Sequence, residues 1–200
     1  MMKYTDEDVR RYLNALINDL DSAYRYFKLY QHSLFETEPY LVAINLPQNI
    51  AFFNEVSKSF RNCFIIKLSG FLEVDKTSSC NLDRFLTEII PNSSFQKIDL
   101  EKEKPIEIPQ NINTFSGNLS AFRGNHIAHS KNPLKNDKNY DGLSFENIEK
   151  IFDYYKTYIN NISLELFKYV HAFNIAKEAQ SGFNYYLKLI DSDYRTNNRP

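Results

Sequence analysis

The 200-residue chain reads as an all-α protein, an antiparallel bundle of four to five long helices. Three observations carry that reading. Apolar residues recur at alternating spacings of three and four over stretches far longer than a strand. Glycine is scarce, at 5 residues, which leaves few sites for the tight hairpins of a sheet protein. The periodic stretches are also separated by polar, proline-bearing connections.

The first helix shows itself in Val9, Leu13, Leu16, Leu20, Ala23, Phe27, Tyr30 and Leu34, which fall on one stripe. Thr5, followed by acidic residues, supplies an N-cap, and Pro39 bars continuation. The second helix is expected over residues 47–74, with a stripe of Phe53, Val56, Phe60, Phe64, Leu68 and Leu72. Phe52, Cys63, Ile65, Ile66 and Phe71 widen its apolar surface, so this helix should be central. A short helix, "NLDRFLTEII", stops at Pro91. Residues 91–109 hold three prolines and the run "DLEKEKPIEIP", which reads as a surface loop.

The third helix starts just after Pro109. Ile112, Phe115, Leu119 and Phe122 are spaced by three, four and three, and the same alternation continues to His126 and His129. Gly117 weakens this helix and Pro133 ends it. After the polar loop "KNPLKNDKNYDGL", a fourth helix is capped by Ser144 with Glu146 in its first turn. Its seam runs through Phe145, Ile148, Phe152, Tyr155, Ile159, Ile162, Leu166, Tyr169 and Phe173. The phase slips near residues 176–179 and resumes at Phe183, Tyr186 and Ile190, with a kink expected at Gly182. There is no internal repeat, and the length suits a single domain over residues 1–200. The 3-4 seams of the first and fourth helices exceed what one bundle core needs, which points to a homodimer.

Composition narrows the function. With 16 Phe and 14 Tyr but no Trp, aromatic rings do the work leucine does elsewhere in a core. A net charge of −1 and a pI of 6.4 give no bulk basicity, so contact with RNA or DNA must use a local patch. Cys63 and Cys80 have neither a CxxC partner nor metal-ligand spacing, which suits free thiols in a reducing cytosol. The segment "MMKYTDEDVRRYL" has no apolar core, and no run approaches a membrane span. A cytoplasmic protein with no membrane contact and no cofactor is expected.

One stretch stands apart. "FRGNHIAHSKNP", residues 122–133, brings Arg123, Asn125, His126 and His129 to the end of an apolar stripe. His126 and His129 continue the face of Phe122. Asn125 and His129 share a face at i, i+4, and Arg123 reaches His126 at i, i+3. Buried without partners, each such group would cost roughly 1–3 kcal/mol. Three readings fit. The side chains are mutually satisfied polar groups at a bundle's end. Alternatively, His126-x-x-His129 begins a metal site, although it is half a site completed only by loop acids such as Asp137 and Asp141. Or the cluster performs phosphodiester chemistry: a histidine titrating near ~6.5 moves the protons while an arginine fork holds the phosphate. That pair suffices for metal-free RNA cleavage leaving a 2′,3′-cyclic phosphate, a route closed to DNA. No HExxH, phosphate-binding glycine loop, GxSxG elbow or catalytic carboxylate pair is present.

The run "RGNHIAHS" resembles the Arg-x4–6-His signature of the HEPN superfamily, with five residues between Arg123 and His129. Arg123 followed by Ile127, Ala128 and His129 is similar to the "R-x-x-x-[IV]-A-H" run of its branch near abortive-infection and toxin–antitoxin proteins. The order of helices around the motif is similar too. The resemblance implies an HEPN-like bundle that homodimerises, so that two copies of Arg123 and His129 meet in one cleft. It implies a metal-independent endoribonuclease acting on RNA as a toxin or phage-defence effector, with a cognate antitoxin as the partner that restrains it. His129 would be the acid/base, Arg123 the phosphate binder, and Asn125 and His126 supporting polar groups. A composite site also answers a geometric difficulty, because residues six apart lie about 120° apart on a straight helix. Gly124 departs from the family pattern, which commonly places Asn, Asp or His after the arginine. That departure favours the alternative of a non-catalytic HEPN-like module binding nucleotide, RNA or a protein partner.

Overall fold

The computed structural model describes residues 3–35, 40–72, 80–109, 112–123 and 144–197, which are helical or irregular with no strand among them. The elements are α1 (Asp6–Phe35), α2 (Leu41–Ile44), α3 (Pro47–Leu72), α4 (Leu82–Arg84), α5 (Ile112–Phe122), α6 (Phe145–Phe167) and α7 (Ile175–Asn197). The chain forms two compact units, Met1–Leu20 with Ile65–Ala172 and Asp21–Phe64 with Phe173–Pro200.

In the first unit, the α1 stripe of Val9, Leu13, Leu16 and Leu20 is fully buried. Thr5 and Asp8 cap the helix reciprocally. Asp8 N donates to Thr5 Oγ1 at 3.2 Å and Thr5 N donates to Asp8 Oδ2 at 2.9 Å, satisfying two amides that have no partner inside the helix. The core is completed by Leu68 and Phe71 of α3, Phe115 and Leu119 of α5, and Phe152, Ile159 and Ile162 of α6. Phe71 meets Tyr155 edge-on, with ring centroids 5.4 Å apart.

Two expectations are corrected here. Pro91 does not stop the short helix: α4 widens into a π turn over Phe85–Ile89, and Pro91 sits inside a 3-10 turn, Ile90–Asn92. Proline is tolerated at the start of such a turn, where its missing N–H would have no partner. Residues 91–109 are also more than a surface loop, since Ser93 and Leu100 are buried. Tyr158 Oη donates to the Leu100 carbonyl at 3.2 Å and Asn161 Nδ2 to the Glu103 carbonyl at 2.8 Å, strapping the segment to α6. Pairings this far apart in sequence leave no periodic signal.

The N-terminal segment is tied to the π turn through one carboxylate. Tyr4 Oη at 2.6 Å and Lys3 Nζ at 3.1 Å donate to Glu88 Oε1, and Arg84 Nε donates to Oε2 at 3.0 Å. The Tyr4 hydroxyl first, then Arg84 and Lys3, hold the Glu88 carboxyl down from 4.5 to about 2. A depressed carboxyl contributes stability that is present above its unfolded value and lost as pH falls through its folded one. The wild-type chain should therefore lose stability relative to Glu88→Gln as pH falls from 4.5 to about 2, with parallel curves above that window. Urea midpoints across that range check this. Parallel curves throughout would mean that the contacts do not favour the charged form.

In the second unit, Phe27 of α1 meets Phe64 of α3 edge-on at 5.5 Å. Ile44, Phe53 and Leu187 form a small buried cluster flanked by Tyr40, Phe183 and Ile190. The buried His32 has its Nε2 2.6 Å from Asn184 Oδ1. Phe52 is 55% exposed, so α3 is not buried all round as its composition suggested. The fourth predicted helix is in fact two. α6 ends where Lys168 adopts the left-handed conformation (φ 60°) and donates its N–H to the Leu164 carbonyl. Tyr169 and Phe173 therefore fall outside the helix, and in the first unit Asn160 holds both the His171 N–H and C=O, at 2.9 and 3.1 Å. Gly182 lies within α7 rather than at a break, and Leu187, not Tyr186, is buried. Among the described residues, no helix is long and apolar enough to cross a membrane.

Candidate functional site

The motif hangs on α5. That helix forms because Ile112, Phe115 and Leu119 recur at helical spacing, and the last two are almost fully buried in the first unit. The chain enters it through Ile112 N, which donates to the Pro109 carbonyl at 3.3 Å. Gly117 has open space beside its Cα, so its cost is one of helix propensity alone.

Arg123 follows Leu119 by one turn, half-buried, in a π-helical position just past the end of α5. π-helical positions recur at functional sites. A guanidinium here offers a planar fork of donors whose spacing matches two phosphate oxygens. Of the residues the sequence singled out, Arg123 is the one described. Asn125, His126 and His129, with Asp137 and Asp141, lie outside the described residues. The chain is described again at Ser144, where the expected N-cap is present: Ser144 Oγ accepts from Asn147 N at 3.3 Å and Glu146 sits in the first turn. The elements flanking the motif, α5 and α6, thus both contribute to the core of the first unit, through Phe115 and Leu119 on one side and Ile148 and Phe152 on the other.

Cys63 and Cys80 are free thiols, and burial pushes the Cys80 thiol up to about 11. A thiol so far above neutrality is a poor nucleophile. Among the described residues, no three His, Cys, Asp or Glu side chains are grouped to hold a metal ion.

Sequence reading missed a tyrosine cluster on α6. Tyr154, Tyr155 and Tyr158 line a cleft of about 340 Å³ together with Asp83, Lys104 and Ile108. Tyr154 and Tyr155 meet edge-on at 5.1 Å, and burial raises the phenol of each of the three above its ordinary range. The run "DYYKTY" was the available signal, but only Tyr155 falls on the predicted seam.

Residues 6–182 match the HEPN_AbiU2 family, described as AbiU2. No curated protein and no solved structure matches the chain. The match runs from the first residue of α1 into α7 of an all-helical protein, so the chain belongs to the AbiU2 family of HEPN domains, in the abortive-infection branch of that superfamily.

Proposed function

We propose that the chain is a metal-independent endoribonuclease of the HEPN type, acting in the cytoplasm as a toxin or phage-defence effector. The family match, which includes the Arg123–His129 segment, carries this reading. Arg123 binds the scissile phosphate and stabilises the charge that develops on its oxygens. His129 takes the proton from the attacking ribose 2′-hydroxyl, or delivers one to the leaving 5′-oxygen. With two chains meeting at this motif, His129 of one chain works with Arg123 of the other. Asn125 and His126 support the pair as hydrogen-bonding groups. The seam of α1 gives the homodimer little support, because its residues from Val9 to Phe27 are already buried within the chain, although Leu34 at its end is 45% exposed. The dimer rests instead on the motif, since residues six apart would be about 120° apart on a straight helix.

Purified protein incubated with a mixed RNA pool in EDTA should cleave it and leave 2′,3′-cyclic phosphates, while His129→Ala of equal helicity should not. Loss of activity in EDTA, or full activity of His129→Ala, would sink the nuclease reading. Gly124 favours a second reading, a non-catalytic module, because it removes the side chain that usually follows the motif arginine. RNA retained without cleavage, in a manner lost in Arg123→Ala, would select that reading.

A further inference from the structure

A trough along α6 in the first unit is not accounted for by the nuclease motif. Two adjoining clefts, of about 340 and 390 Å³, share Ile108 and Tyr154. Leu72, Leu86 and Ile112 wall the first, which also exposes Asp83, and Glu107 lines the second. The ridge beside them is the segment "KPIEIP", residues 104–109. In it Ile106 is 100% exposed and Ile108 is 60% exposed. Prolines 105 and 109 restrict this backbone, which lowers the ordering cost of any partner that covers it.

The charges along the trough are unevenly matched. Lys104 is bound by Glu101 at 2.5 Å, Lys150 by Glu146 at 2.6 Å, and Asp153 by Lys156 at 3.3 Å. Asp83 and Glu107 remain, with no cation paired to either among the described residues. Tyr154 lines both clefts. The trough thus presents two unbalanced carboxylates, a tyrosine and exposed aliphatic side chains.

We propose that this trough docks a basic segment of another protein. A lysine or arginine of that segment enters the first cleft, donating to Asp83 and to the Tyr154 hydroxyl, with its stem along Leu72, Leu86 and Ile112. A second cation answers Glu107, and an aliphatic side chain covers Ile106 and Ile108. RNA suits the trough less well, because its phosphates would face Asp83 and Glu107 while Lys104 and Lys150 are already held by Glu101 and Glu146. The surface stands apart from Arg123, the described residue of the motif. Ile112 at the cleft and Arg123 stand at opposite ends of α5, roughly 16 Å apart along a helix rising 1.5 Å per residue.

A fluorescein-labelled peptide of alternating leucine and arginine, its leucine–glutamate counterpart and a labelled oligouridine are each titrated with the full chain and followed by anisotropy. The peptides are not nuclease substrates and the oligouridine carries 2′-O-methyl riboses, so binding is read without cleavage and a failure here leaves the nuclease reading untouched. The arginine peptide should bind and the glutamate peptide should not. The double change Asp83→Asn with Glu107→Gln, and separately Ile106→Asp, should each weaken binding about tenfold or more, the scale of one lost part-buried charge pair. All three positions are exposed, so the variants should match the wild type in circular dichroism. Absent binding, or binding that these changes leave alone, overturns the proposal. So does oligouridine binding lost in the same variants, or a sedimentation shift from dimer to monomer in Ile106→Asp, which would make the trough an interface between copies.

Discussion

Arg123→Ala should lower single-turnover RNA cleavage by about 10²–10³-fold, the usual cost of removing one preorganised donor from a developing oxyanion. The side chain is half-buried at the end of α5, while the residues that hold that helix, Phe115 and Leu119, lie earlier on it. The variant should therefore remain helical, and a simultaneous collapse of helicity would make the loss structural. Arg123→Lys should recover only part of the rate, because it restores the charge without the two-pronged fork. Mixing two inactive variants tests the composite site. If Arg123 of one chain works with His129 of its partner, the Arg123→Ala and His129→Ala chains should regain cleavage together, since the mixed dimer holds one intact pair. If both residues act within one chain, no mixture restores it. Wild-type cleavage by Arg123→Ala would remove that residue from the site.

Phe152→Ala should destabilise the chain by about 3–5 kcal/mol, the range for emptying a core phenylalanine site. Phe152 is fully buried on α6, in the core that Phe71, Phe115 and Leu119 also build. Against a total stability of about 5–15 kcal/mol, the loss removes a large share and should move the urea midpoint sharply at unchanged slope. Phe52→Ala is the control: that ring is 55% exposed on α3, and its loss should stay within about 0.5 kcal/mol. A Phe52→Ala cost as large as that of Phe152→Ala would mean that the exposed face of α3 is covered in solution, as by a second copy of the chain.

Much of the helical layout was legible because helical burial leaves a local mark. The α1 stripe from Val9 to Phe27, the cap at Thr5 and the start of α6 at Ser144 all stand where the spacing and the capping residues put them. Each depends on residues within a turn or two of one another, and that is the range over which periodicity speaks. The α6 seam held only as far as Leu166. Tyr169 and Phe173 kept the right spacing, but the chain had already turned at Lys168, a residue type that does not advertise a left-handed conformation.

The candidate site divides along the same line. Arg123 was found by its place in a motif, and the structure adds its half-burial and its π-helical position. The α6 trough was not legible at all. Asp83, Ile108 and Tyr154 come from three separate segments, and nothing in the spacing of one refers to the others.

Helix identity, the caps and the chemistry of the motif are properties of neighbouring residues and could be read from the chain alone. Which carboxylates have a cation beside them, which tyrosines line the clefts, and which isoleucines stay in water were decided only by tertiary packing. Each of those depends on what a distant segment places alongside, and residues such as Tyr158 and Leu100, 58 positions apart, meet only once the chain has folded.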